Sequence, residues 1–537
     1  MSSYDAIVIG GGHDGLIAAA TLARAGRKVA LCESRELLGG RCAREPFAPG
    51  YATPGLLHDS AGLRPAVIES LDLLRHGLTL NTESPALFAP ASDGAGLWRH
   101  SQDAEMVGAL RHVRQDDAWA WRRWREQCAR LGGFLADVLD AEAPDPAPQG
   151  LAAGWELLRT GMSLRRLGAR DMRELLRIGP MTARDWLQEH FSTPRLTALL
   201  AQPALSGTWL GPWSAGGALR LLMQEATRGP GVRGGPAALV DALLKCCRAA
   251  GVELLSGTAV TSIRVEGGST GGDAAGDAAI SRTNVRTGPR VLGVTHADGS
   301  ELNAPVVLAA IEPKRALLQL LPARSLPSAV AQRLSHWRTR GTTACLRLAL
   351  DGPVPWTGAG ELPVHKALLA DDLTQIERAF EGVKYGELPE RPVLDVAVPS
   401  LADPSLAPAG CHVLSALISS VPYALQGGWD EAATARLNAR ALHELERHAP
   451  GIAERIVGQE LLTPVDLERR YGLTGGQLHH GEPALDQLLH LRPDPSCARG
   501  RTPLEGLYLA GAGRHPGGDV SGMSGLLAAR AALATQA

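Results

Sequence analysis

The sequence predicts an α/β protein whose parallel sheet draws strands from both ends of the chain, with a second sheet and a block of helices inserted between them. Three observations predict it. The chain opens on "YDAIVIGGGHDGLIAAATLARAG", Tyr4 to Gly26: a strand, a glycine turn and a helix. It closes on "GLYLAGAGRHPGGDVSGMSGLLAAR", Gly506 to Arg530, with the same order of parts. Between them, apolar β-rich runs are interleaved with stretches of helical periodicity.

In the opening unit, Asp5–Ile9 is an apolar strand and Gly10, Gly12 and Gly15 form GxGxxG. Gly10 permits the tight turn, Gly12 lets a pyrophosphate approach the backbone, and Gly15 lets helix and strand pack closely. The helix N-terminus then faces the phosphates. The next strand, "KVALCE", closes on Glu33, an acid placed to bond ribose hydroxyls. Strand, helix and acid together make a dinucleotide site; GxGxxG alone does not.

Bulk properties exclude several classes. The 537 residues allow two to four domains. Forty-five per cent hydrophobic and 20% charged residues are ordinary for a globular protein, and a formal charge of −2 gives no case for nucleic acid binding. Only five basic residues are Lys (28, 245, 314, 366 and 384); with much Ala, Gly and Leu this is the composition of a high-GC bacterial genome. The eight cysteines form no CxxC and no metal-ligand pattern, and no metal is expected. A strand at the very N-terminus leaves no room for a signal peptide, and no apolar run is long enough to span a membrane. The expected location is cytoplasmic.

In the middle, residues 116–141 have helical periodicity and 141–150 are a proline-rich connector. Residues 155–179 are basic and amphipathic, either a helical cap with a solvated Arg face or a peripheral membrane contact that collects a lipophilic substrate. Residues 231–265 give a helix and strands, partnered at 290–311. The low-complexity run 266–288 between them reads as a hairpin extension, and its GDAAG lacks the preceding strand of a flavin-contacting motif. Later strands at 343–350, 393–399 and 412–425, with a helix at 430–448, form the inserted sheet.

The segment E-x5-GG-R (Glu33, Gly39, Gly40, Arg41) resembles the N-terminal signature of FAD enzymes of the glutathione-reductase-like class, and an NAD domain does not need it. With "RGGPAALVDALL", "LTPVDLERRYGLTGGQLHHGEPALDQLLHLRP" and the C-terminal stretch, the chain resembles the phytoene-desaturase-like FAD oxidoreductases, in the branch of pyridine nucleotide-disulfide oxidoreductase domain-containing protein 2. The resemblance covers most of the chain and is weakest at 90–200 and 266–290. It implies a GR2-type Rossmann-like FAD-binding domain (1–90, 228–318 and 462–537), a helical cap (91–227) and an α+β substrate domain (319–461). It also implies a cofactor contact set: Gly10, Gly12, Asp14, Gly15, Glu33, Ser34, Gly39, Gly40, Arg41, Val260, Gly511, Gly513, His515, Asp519, Val520, Ser521 and Met523. Two positions depart from the family's pattern, Asp14 where Asn is usual and Asp519 where Gly is usual. Asp14 suits a helix dipole but repels phosphate. Asp519 places an acid beside the expected flavin, where it tunes the flavin, moves a proton or turns outward.

The C-terminal stretch lacks the acid at the end of a following strand, so it is half of the same site and not a second one. Its helix N-terminus is expected at the flavin. Candidates for proton transfer are His480 and Glu482, in the "HGE" that matches the family, with His58 and Tyr423 as possible cleft residues; each also has a purely structural reading. The function implied is removal of a hydride from a largely apolar small molecule, with FAD re-oxidised by oxygen, a quinone or another acceptor. Two alternatives stand beside it. One is an amine or amino-acid oxidase with Lys366 or Lys384 holding a water at the flavin; the other is a non-catalytic flavoprotein.

Overall fold

A computed structural model describes residues 2–91, 94–147, 151–266 and 289–536. The expected hairpin extension, with its GDAAG run, lies outside the described residues apart from Glu266. The first sheet has five parallel strands in the order Leu507–Leu509, Val307–Ala309, Ala6–Ile9, Val29–Cys32, Glu253–Leu255. Alternation along each strand buries both faces, as a parallel sheet requires. Ala6, Val8, Leu31, Leu308 and Tyr508 point to the helices His13–Arg24, Gly235–Ala249 and Met523–Gln536. Ile7, Ile9, Ala30, Val307 and Leu507 point the other way, to a core shared with the strands Val260–Glu266 and Arg290–His296. The C-terminal strand joins the N-terminal sheet, as expected, at its edge, with Val307–Ala309 between it and Ala6–Ile9.

The second sheet has seven strands, in the order Ile456–Leu462, Thr343–Leu350, His412–Ser419, Val393–Ala397, Lys366–Leu369, Leu87–Ala89, Leu97–Arg99. The helix Glu431–His448 packs Leu437, Ala441 and Leu445 on one face, against Leu346, Leu394 and Leu414. The helical region packs on the other, through Leu368 and Val393. Its centre is aromatic: the Trp124 ring lies 5.4 Å from Trp121, 5.9 Å from Trp186 and 5.7 Å from Phe191.

One expectation needs correction. The boundary at residue 90 cuts a hairpin, because Leu87–Ala89 and Leu97–Arg99 pair with each other and extend the seven-stranded sheet through Lys366–Ala367. Nothing local marks that partner, which is more than 270 positions away. The basic stretch at 155–179 is two helices, Leu151–Arg166 and Gly168–Ile178, broken where Gly168 takes φ +80°. Among the described residues no helix is long and apolar enough to cross a membrane.

Candidate functional site

Parallel strands bring their carboxyl ends to one edge, and loops there are where ligands of such sheets bind. A cleft of about 810 Å³ opens at that edge. It is lined by Gly10, Gly12, Asp14, Glu33, Ser34, Gly40, Arg41 and Val260 of the expected contact set, and by His480. Glu33 is fixed by its own turn. Its Oε2 accepts the Gly11 amide at 2.7 Å, and its Oε1 accepts the Arg35 amide at 2.9 Å and the Ser34 hydroxyl at 3.1 Å. Gly12 sits at the N-cap of His13–Arg24 with φ −68°, and a Cβ built there meets nothing within 4 Å. The backbone at Gly12 is therefore open to the cleft, and a helix N-terminus lies directly behind it.

The cleft holds buried polar atoms with no hydrogen-bond partner in the protein: His13 Nε2 (3.5 Å from Asp14 Oδ2), Asp14 Oδ1, Glu312 Oε1 and His480 Nδ1. Such atoms are costly unless a ligand or water meets them. Burial lowers the pKa of His13, and burial with Arg41 and Arg492 lowers that of His480 well below its ordinary value, so both rings are neutral near pH 7. Burial raises the Glu312 carboxyl, although the Lys314 and Arg315 amides and Thr474 pull the other way. Glu312 was not anticipated. Its signal was present, since it follows the apolar strand Val307–Ala309 much as Glu33 follows Val29–Cys32. His13 and Tyr471 also line the cleft without having been expected there; the first lies inside GxGxxG, and the second is remote in sequence.

The remaining expected residues fall into other places. Gly15 packs helix on strand; a Cβ there would lie 1.9 Å from the Gly10 carbonyl oxygen. Gly39 faces Val240 and Ala43, and its amide bonds to the Gly11 carbonyl. Gly511 and Gly513 do not reach the cleft: a Cβ on Gly511 would meet Ala310, and one on Gly513 would meet Pro313 at 2.3 Å. These two glycines press the C-terminal loop onto the loop after Val307–Ala309. His515 is fully buried, and its Nε2 lies 3.0 Å from the Val138 carbonyl. Burial with Arg514 lowers its pKa to about 3, so it anchors the long helix Gln115–Asp140 as a neutral ring. Val520 is core, buried with Leu63 and Val67.

Asp519, Ser521 and Met523 share a recess of about 480 Å³ with Arg220. Asp519 is half exposed there and accepts Arg220 Nη2 at 3.2 Å; its other oxygen lies 3.6 Å from His479 Nδ1. Arg220 and His479 hold the carboxyl below its ordinary range. Burial in turn lowers His479 to about 4, against the pull of Asp519. The acid found where Gly is usual is thus an ion-pair partner of Arg220.

Of the proton-transfer candidates, His480 lines the cleft and the other three lie elsewhere. Glu482 is buried and bonded to Arg338 and to Arg340, at 2.6 Å from Arg340 Nε, so its oxygens are taken. Tyr423 donates to Glu468 and lines a separate surface cleft with Lys384. His58 lies in a cavity of about 1360 Å³ between the loop Pro54–Ala61, the segment Arg228–Pro236 and the seven-stranded sheet. Its Nε2 is 2.9 Å from the Ser415 hydroxyl, and its buried Nδ1 has no partner within hydrogen-bond reach. Lys366 lines the same cavity, 3.3 Å from Asp59.

Comparison with known proteins agrees with this geometry. Residues 8–63 match the NAD(P)-binding Rossmann-like domain family. The chain is 32% identical to pyridine nucleotide-disulfide oxidoreductase domain-containing protein 2 of Rattus norvegicus, over 98% of this chain and 92% of that one. It is 24% identical to phytoene desaturase of Neurospora crassa, over 96% and 82%. Among solved structures, cyclohexylamine oxidase from Brevibacterium oxydans superposes with a TM-score of 0.55 at 15% identity, covering 99% of this chain and 98% of that one, a likeness of fold.

Proposed function

The chain belongs to the phytoene-desaturase-like oxidoreductases, in the branch of pyridine nucleotide-disulfide oxidoreductase domain-containing protein 2, and from that premise we propose that it is an FAD-dependent dehydrogenase, desaturase or oxidase acting on a largely apolar small molecule. One observation carries the cofactor assignment: the open backbone at Gly12, ahead of a helix N-terminus and beside the anchored Glu33, in a cleft whose polar atoms lack partners. Gly12 and the helix behind it would receive the pyrophosphate, Glu33 the ribose hydroxyls, and Arg41 and His480 the flavin half. Bound there, FAD would supply the two-electron redox chemistry.

The rest falls to the chain. The cavity beside Pro54–Ala61 excludes water around an apolar substrate with the walls of Leu57, Val232 and Val398. His58, whose Nε2 is 2.9 Å from Ser415 and whose Nδ1 is 4.0 Å from Asp395 Oδ1, is the cavity's candidate for taking up the substrate proton. Neutral His480 leaves the cleft without an added positive charge. All eight cysteines are free thiols, which supports a reducing, cytoplasmic location. Trp155, Leu158 and Met162 are exposed along one face of Leu151–Arg166, which supports a peripheral membrane contact there.

The test is anaerobic. The purified yellow protein is mixed with apolar candidate substrates, and the visible flavin band is followed. Bleaching by a substrate, diminished in His58→Gln, supports the reading; a protein that never retains flavin contradicts it.

A further inference from the structure

The cavity that contains His58 is not uniformly apolar. Much of its lining is Pro, Ala, Leu and Val, but Arg228, Lys366 and Arg233 also face it, with Asp59 and Glu83 as the acids. Arg233 and Glu83 are exposed at the rim, where Glu83 is also bonded to Ser101 at 3.3 Å. In the cavity wall and the helices behind it, the charges do not balance. Asp59 accepts the Ala61 amide at 2.8 Å and sits 3.3 Å from Lys366 Nζ. Glu225 is buried and bonded to Arg99 and to Arg125, the latter at 2.9 Å. Arg125 has a further acid in Asp103, at 3.3 Å. Three acids therefore serve four cations, and the one left over is Arg228, which caps the helix Gly217–Thr227. Its field reaches both Asp59 and Glu225, yet among the described residues its side chain has no hydrogen bond or ion pair. Its half-buried guanidinium lines the cavity with donors that no protein group takes, and their planar arrangement suits a carboxylate.

We propose that this cavity binds an organic acid: Arg228, supported by Lys366, holds the carboxylate, while the apolar body lies along Leu57, Val232 and Val398 towards His58. This rests on the reading of the cavity as the substrate's, and it narrows that substrate from an apolar molecule to an apolar molecule with an acid group.

The experiment uses the flavin-loaded protein and three probes of equal chain length: dodecanoate, dodecanol and dodecylamine, titrated by calorimetry at low salt. Dodecanoate is expected to bind about tenfold or more tighter than dodecanol, with dodecylamine the weakest. Arg228→Gln brings dodecanoate and dodecanol within about twofold of each other, and Arg228→Lys restores part of the difference. Lys366→Gln gives a smaller loss and serves as the second variant should Arg228→Gln fold poorly. Equal binding of acid and alcohol, or discrimination that survives Arg228→Gln, overturns the proposal. The flavin spectrum separates the two claims. An acid that binds with Arg228-dependent preference but leaves the visible band unmoved supports the anion site and contradicts the placement of this cavity beside the cofactor.

Discussion

The chain carries two strand–glycine loop–helix units, one at each end, and their glycines do different physical work. At the N-terminus, Gly12 faces open space while Gly15 is pressed against the Gly10 carbonyl. At the C-terminus, the space beside Gly511, Gly513 and Gly525 is filled by protein, and a Cβ on Gly525 would lie 2.1 Å from the Asp14 carbonyl oxygen. The helix Met523–Gln536 thus crosses the first turn of His13–Arg24 at van der Waals contact, and both helix N-termini come to the same end of the sheet. One unit makes room for a ligand; the other makes room for neighbouring backbone. Identical letters carry either task, and only the partner surface decides which.

The largest effects break the packing half of this comparison. Gly525→Ala and Gly15→Ala each drive a methyl into backbone, which cannot yield as a flexible side chain does, and are expected to destabilise by about 3 kcal/mol or more. Thermal unfolding of the cofactor-free protein measures it. Gly12→Ala, at ordinary φ and in open space, should leave that unfolding temperature nearly unchanged and lower FAD affinity about tenfold or more. A Gly12 variant that unfolds like the Gly525 variant would erase the distinction.

Next comes the anchor of the open loop. Glu33→Gln keeps the shape but loses the charge that accepts the Gly11 and Arg35 amides. FAD affinity is expected to fall by about 10–100-fold by fluorescence titration, with a modest cost in stability.

At the C-terminal loop the sharper probe is pH. Burial holds His479 at about 4 in the folded chain, below its ordinary 6.5. Between those values the unfolded chain takes up a proton that the folded chain refuses. Stability is therefore fully present above about 6.5 and falls as pH drops towards 4, on the order of 1–3 kcal/mol from this ring. His479→Asn should flatten unfolding temperature against pH in that window; an unchanged slope would show that His479 is not held neutral.

A smaller effect separates structure from chemistry in the HGE segment. Glu482→Gln weakens the pairs to Arg338 and Arg340, which are partly exposed, at a cost of about 1–2 kcal/mol. The rate of flavin reduction by substrate should stay within about twofold of the parent's.

What the sequence made legible was local. GxGxxG, the strand before it and Glu33 after it are contiguous, and the cleft assembles from them as the chemistry of the turn dictates. Strands such as Thr343–Leu350 and the helix Glu431–His448 carry their own periodicity, and residues 343–350 and 430–448 were readable as such. Long-range partners were not legible. Nothing near Glu482 announces Arg338 and Arg340, nothing near Leu87 announces Lys366, and nothing near Asp519 announces Arg220. Glycines hide their partners most completely, because the letter records only that a side chain is missing. Glu312 was within reach, as a second acid at the end of a parallel strand.

We propose one dinucleotide site per chain, floored by the N-terminal loop, with the C-terminal unit packed behind it. Titrating cofactor-free protein with FAD, and following bound flavin to saturation, counts the sites directly. One FAD per chain, with affinity lowered in Gly12→Ala, is the predicted result. Two equivalents per chain, or one equivalent that Gly12→Ala leaves untouched, would contradict it.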